Sequence, residues 1–114
     1  MTYIAAYGTL RDYNNKKGKV KDYRLVVPGN FSFPAAIPFK GEEITVELKP
    51  IEDWELSGFD RYENTGGGLY SRELVNVKTK DGEKEAWMYV AGDAMIQYSN
   101  VFKKVPNNDW ECQT

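Results

Sequence analysis

Apolar and polar positions alternate along much of this chain, and the alternation predicts strands. Thr2-Tyr3-Ile4-Ala5-Ala6-Tyr7 is apolar and β-prone and stops at Gly8, as a buried first strand would. Residues 11–18 are polar and rich in turn formers, so a loop follows. Val20, Tyr23, Leu25 and Val27 give an irregular strand pattern that ends at Pro28-Gly29. Residues 30–38 are apolar but hold Pro34 and Pro38. Two prolines argue against a central strand with a full ladder, so an extended segment packed on the core is expected. Glu43 to Lys49 alternates strictly, with Ile44, Val46 and Leu48 on one face; this predicts a half-exposed strand.

The period then changes. Ile51, Trp54, Phe59 and Tyr62 fall roughly on one helical face, and Glu52 and Asp53 suit a first turn. A helix is predicted over 51–62, ended by the stretch from Asn64 to Gly68. Leu69–Thr79 and Glu83–Val90 flank Lys80-Asp81-Gly82, a hairpin signal. Met95 to Tyr98 suggests a short helix. With no repeat or linker, the order βββαββ predicts a single α+β domain over residues 1–114. Its small mixed sheet should curl around one core.

Composition removes several chemistries. The chain has 114 residues and no histidine. A Ser-His-Asp or Cys-His arrangement is therefore impossible, as is a histidine-based metal site. Cys112 is alone, with no partner for an internal disulfide and no base to activate it. Acid–base work falls to Asp, Glu, Lys or Tyr. A net charge of −2 gives no electrostatic reason to expect nucleic acid or an anionic membrane as partner. No apolar run reaches membrane-spanning length, and the N-terminus lacks the pattern of a signal peptide, so a cytoplasmic protein is expected.

Three constellations remain. Tyr7-Gly8-Thr9-Leu10 ends the first strand, where glycine permits a sharp turn and exposed N–H groups can cradle an anion; a plain tight turn is the commoner use. Glu63 ends the predicted helix beside Phe59 and Tyr62. A carboxylate partly desolvated there would have a raised pKa and could serve as general base and then acid. A solvated helix-end glutamate is the alternative, and Asp60 is a rival that could instead pair with Arg61 or Arg72. Tyr70 and Arg72 alternate at a strand start and so share a face, where they could orient a polar ligand or merely cover the core. Trp54 and Trp87 read as core or core-rim residues. Tyr13 and Trp110 would be the aromatics of a protein-interaction surface, if the domain were one.

Taken in order, several motifs resemble the γ-glutamylcyclotransferase family, including its AIG2-like branch. They are Tyr7-Gly8-Thr9-Leu10, Phe33-Pro34-Ala35-Ala36, Phe59-Asp60-Arg61-Tyr62-Glu63, Leu69-Tyr70-Ser71-Arg72, Ala86-Trp87-Met88-Tyr89-Val90 and Asn108-Asp109-Trp110. The resemblance spans nearly the whole chain. It implies a barrel-like mixed sheet with one or two flanking helices, and a pocket where the Tyr7–Leu10 loop meets the helix-end glutamate. It also implies that the loop amides hold the α-carboxylate of a γ-glutamyl group, with Tyr7, Gly8, Thr9, Leu10, Tyr70 and Arg72 as substrate-binding residues. Glu63 would move protons while the substrate's own α-amine attacks its γ-carbonyl, releasing 5-oxoproline and an amine or amino acid. Such chemistry asks for no metal or cofactor. A small-anion-binding module without activity on the same fold is the alternative.

Overall fold

The computed structural model describes residues 2–8, 10–29, 31–63, 65–98 and 101–110, with Tyr98 in its backbone only. Strands β1 (Thr2–Ala6), β2 (Lys17–Pro28) and β3 (Ala35–Ile51) come first. A 3₁₀ turn (Asp53–Glu55) leads into helix α1 (Leu56–Tyr62). The hairpin β4 (Tyr70–Thr79) and β5 (Gly82–Ala91) follows, then α2 (Asp93–Tyr98), β6 (Phe102–Lys104) and a 3₁₀ turn (Pro106–Asn108). Among the described residues no helix is long and apolar enough to cross a membrane.

The six strands form one mixed sheet whose pairings run in a ring. β3 pairs antiparallel with both β1 and β2, β4 pairs antiparallel with β5, and β1 pairs parallel with β5 at Ile4↔Trp87. The ring closes between β2 and β4 on a single bridge, Lys19↔Lys78. Gly18 permits this approach: a Cβ there would stand 2.4 Å from Val77 Cγ1 and 3.0 Å from the Lys78 carbonyl oxygen. β6 extends β2 on the outside through Val26↔Lys104 to Pro28↔Phe102.

The alternation within the strands sorts the apolar side chains into two clusters rather than the one core expected. Ala5, Val20, Leu25, Ile44, Val46, Met88 and Val90 belong to the larger cluster. Ile4, Ala6, Tyr70, Tyr89 and Ala91 belong to the second, which takes Met95 from α2 and packs against Leu56 and Phe59 of α1. Neighbouring residues of β1 and β5 thus serve opposite faces, and both faces are covered.

Three expectations are corrected. The extended segment at 30–38 is in part ladder: Ala35 to Pro38 pair with Val26 to Tyr23. Pro38 is tolerated because the register shifts beside it, between Lys21 and Tyr23, where Asp22 takes a positive φ of 66°. The helix begins later than predicted, because β3 runs on through Pro50 and Ile51 to pair with Tyr3 and Thr2. Its inward face is Leu56 and Phe59, whereas Trp54 and Tyr62 are 77% and 67% exposed. The strand over 43–49 is not half-exposed: Thr45 and Glu47 on its polar face are buried too.

Glu47 is fully buried because four donors from the segment after β1 converge on it. Its carboxylate accepts from the Asp12 and Tyr13 N–H groups at 3.1 and 2.7 Å, Arg11 Nε at 3.3 Å and Asn15 Nδ2 at 3.3 Å. Arg11 is itself buried and also reaches Asp109 Oδ1 at 2.8 Å. A buried charge is tolerated when paired and hydrogen-bonded, as here. This network fixes the chain that leaves the Tyr7–Leu10 loop.

Candidate active site

Glu63 follows the last residue of α1, and its N–H donates to the Phe59 carbonyl at 2.9 Å, the closing bond of that short helix. The residue is 8% exposed. Among the described residues no ion pair or hydrogen bond reaches its carboxylate. Burial in these apolar and aromatic surroundings pushes its pKa from the ordinary carboxylate value up to about 7.

The carboxylate lines a cavity of about 20 Å³, room for about one water molecule. Tyr7, Gly8 and Leu10 of the first loop form one side. Pro34, Tyr70 and Tyr89 form the other. The loop and the helix-end glutamate therefore meet. Thr9, Asn64 and Cys112 lie outside the described residues.

Local packing explains Gly8. A Cβ there would stand 2.6 Å from Pro34 Cγ, so glycine lets the loop and the Pro34 segment touch. The turn is closed by Arg11 N–H donating to the Gly8 carbonyl at 3.0 Å. No hydrogen bond occupies the Gly8 or Leu10 N–H among the described residues, which leaves both free to donate.

The three cavity tyrosines are each tied down. Tyr7 donates its hydroxyl to the Tyr89 carbonyl at 2.5 Å and accepts from the Ala36 N–H at 3.2 Å. Tyr70 donates to the Pro34 carbonyl at 2.8 Å. Tyr89 donates to Asp60 Oδ1 at 2.7 Å. Burial raises the pKa of all three, and the nearby Glu63 charge adds to it, so they stay protonated near neutrality. With their protons committed elsewhere, none neutralises Glu63.

Arg72 is not part of the cavity wall. Its Nη1 pairs with Asp60 Oδ2 at 3.3 Å, and its guanidinium lies 4.6 Å from the Trp87 ring centroid. It touches the site only through Asp60 and Tyr89. Trp87 is half-buried at the core rim, as expected, but Trp54 is a surface residue. Tyr13 is exposed, and its hydroxyl donates to the Trp110 carbonyl at 2.8 Å. Pro34 and Tyr89 were not among the sequence candidates. The hairpin turn supplies the missing signal for Tyr89, since it fixes Arg72↔Tyr89 as register partners.

The ring-like mixed sheet thus carries a buried glutamate, unpaired among the described residues, beside a glycine loop. The chain belongs to the gamma-glutamyl cyclotransferase, AIG2-like family, whose model matches residues 4–112. Among solved structures it is similar to an AIG2-like protein from Mus musculus, with TM-score 0.74 and 17% identity over 100% of this chain and 90% of that one. Protein ytfP from Escherichia coli is similar at TM-score 0.65 and 26% identity, covering 96% of each chain. A gamma-glutamyl cyclotransferase is similar at TM-score 0.69 and 15% identity, over 92% of this chain and 72% of the other. Compared with curated protein sequences, the chain finds no match.

Proposed function

We propose that this protein is a γ-glutamylcyclotransferase acting on a γ-glutamyl amine or γ-glutamyl amino acid, with Glu63 as the general acid/base. The observation that carries the reading is the state of Glu63: buried, unpaired among the described residues, and titrating near neutrality beside the Tyr7–Leu10 loop. A carboxylate in that state can take a proton at pH 7 and return it, which one neutralised by a cation does not do as readily.

The γ-glutamyl α-amine arrives as ammonium, and Glu63 removes a proton from it. The free amine attacks the γ-carbonyl carbon, forming the new ring C–N bond. The original amide C–N bond then breaks as Glu63 returns its proton to the departing nitrogen, and the second proton that the attacking nitrogen sheds on becoming the lactam N–H passes to the same amine, which leaves as ammonium. The products are 5-oxoproline and the free amine. The nucleophile belongs to the substrate, so the protein's main task is to hold it folded, an effect worth up to about 7–11 kcal/mol in intramolecular models. The Gly8 and Leu10 N–H groups are suited to the substrate α-carboxylate or to the developing oxyanion. Tyr70 shapes the wall opposite them.

A non-catalytic anion-binding module would be favoured by a cation closed onto Glu63. The nearby guanidinium of Arg72 is committed to Asp60 instead. Glu63→Gln is expected to keep the fold and abolish release of 5-oxoproline from a γ-glutamyl substrate. Unchanged turnover in that variant overturns the reading.

A further inference from the structure

Beside the Glu63 cavity lies a larger recess. Leu10, Trp54, Gly58, Phe59 and Tyr62, with Glu55 at their side, line an open groove of about 560 Å³. That lies within the roughly 300–1,000 Å³ of small-molecule sites, whereas the Glu63 cavity holds about 20 Å³. Leu10 is a wall of both. Helix α1 links them as well, because it carries Phe59 and Tyr62 into the groove and ends at Glu63.

Gly58 shows that the groove is more than loose packing. A glycine inside a helix is less stable than alanine there. Nothing in the fold calls for one, since an added Cβ would meet no atom within 4 Å. What the missing side chain does is leave the floor of the groove open between Trp54 and Tyr62. Those two rings are exposed although they are large and apolar, which is unfavourable unless something covers them.

Charge narrows the occupant. Glu55 is in the lining with its carboxylate turned to the Glu52 N–H, which donates to it at 3.2 Å, and among the described residues the lining has no basic side chain. The ammonium of Lys49 lies 5.8 Å from the Phe59 ring, but it donates to the Leu10 carbonyl at 3.3 Å and pairs with Asp12 at 3.5 Å. A leaving group with its own carboxylate would enter a lining that, among the described residues, offers it no cation.

We propose that this groove holds the departing half of the substrate, and that this half is an apolar amine without a carboxylate, such as an arylalkyl or long alkyl amine. The inference rests on the cyclotransferase reading, which it narrows from γ-glutamyl compounds in general to γ-glutamyl amides of apolar amines.

The test compares three substrates by 5-oxoproline release: the γ-glutamyl amides of methylamine, of 2-phenylethylamine and of phenylalanine. The phenylethylamide is expected to exceed both others in kcat/KM by about 10-fold, the low end for one apolar group gained in a site. Gly58→Leu, which fills the groove, and Trp54→Ala, which removes one wall, are expected to collapse that ratio; thermal melting confirms that both fold. Equal kcat/KM for the three compounds, or a ratio untouched by Gly58→Leu, overturns the groove while the cyclotransferase reading stands. If none of the three releases 5-oxoproline, that reading falls by itself. Binding of free 2-phenylethylamine, followed by tryptophan fluorescence, then decides the groove. Saturable binding lost in Gly58→Leu supports it, and no binding overturns it. A dimer in sedimentation that dissociates on Trp54→Ala assigns the groove to a second copy of the chain and also overturns the proposal.

Discussion

Asp60 and Glu63 stand about one helical turn apart, yet only Asp60 has partners. It accepts from Tyr89 at 2.7 Å and pairs with Arg72 at 3.3 Å. Glu63 is left to desolvation and titrates near 7. On the proposed cyclotransferase reading, that difference favours Glu63 over Asp60 for proton transfer. The rate of 5-oxoproline release should rise with pH through about 7, as Glu63 loses its proton. Asp60→Asn should keep that midpoint while losing about 1–2 kcal/mol of stability with its charged hydrogen bonds. A pH–rate profile of that variant checks this, and loss of turnover in a variant that still folds would transfer the role to Asp60.

Burial of Glu63 has a cost that depends on pH. Its folded-state pKa, about 7, lies above the ordinary carboxylate value of 4.5, so the folded chain binds this proton more tightly than the unfolded chain. The stabilising contribution is present below about pH 4.5 and is lost as pH rises through 7, about 3 kcal/mol in all. Glu63→Gln should remove this slope, making the variant the more stable protein at pH 8 but not at pH 4.5. Urea unfolding of both proteins across that range measures it.

Gly8→Ala should be costly despite its size. The added Cβ meets Pro34 Cγ at 2.6 Å, a ring atom with little freedom to move, in a segment whose carbonyl is held by Tyr70. Overpacking of this kind costs about 1–3 kcal/mol. A lowered melting temperature together with slower turnover is expected, because the displaced atoms are cavity walls.

Glu47→Ala removes the acceptor for two backbone N–H groups and one of the two carboxylates that pair with buried Arg11. Losing one partner of a buried pair costs about 3–5 kcal/mol. Glu47→Gln should cost less, since an amide oxygen still accepts from the backbone. The denaturant midpoints of the two variants should fall in that order.

Much of the sheet was legible because period-two alternation survives wherever one strand face meets a core. The hairpin from Leu69 to Val90 and the first two strands are examples. What was not legible arose from tertiary partners. Pro38 sits in a ladder because a bulge lies opposite, and bulges leave no reliable mark in one sequence. The helical face drawn through Ile51, Trp54, Phe59 and Tyr62 failed because the segment is a strand end, a 3₁₀ turn and a short helix joined together, with no single period. Glu47 looked solvent-facing by alternation, and only the return of residues 11–15 over it makes it buried. At the site, Glu63 and the Tyr7–Leu10 loop were marked by the ordered motifs rather than by any local pattern. The Asp60–Arg72 pair was one of two partners left open.

The β4–β5 hairpin joins the rest of the ring through single bridges, Lys19↔Lys78 to β2, Ile4↔Trp87 to β1 and Ala36↔Val90 to β3. Along β4 the amides facing β5 sit in a ladder that runs from Tyr70↔Ala91 to Thr79↔Gly82, while those facing β2 have only the one bridge at Lys78. Local opening follows the sparsest bonding. In deuterated solvent the β2-facing amides of β4 should exchange well before those facing β5. Tyr70 and Tyr89 ride on that hairpin, so the part of the cavity wall they form can breathe as one unit while the β1–β3–β2 half, which carries Tyr7, Gly8 and Pro34, stays shut.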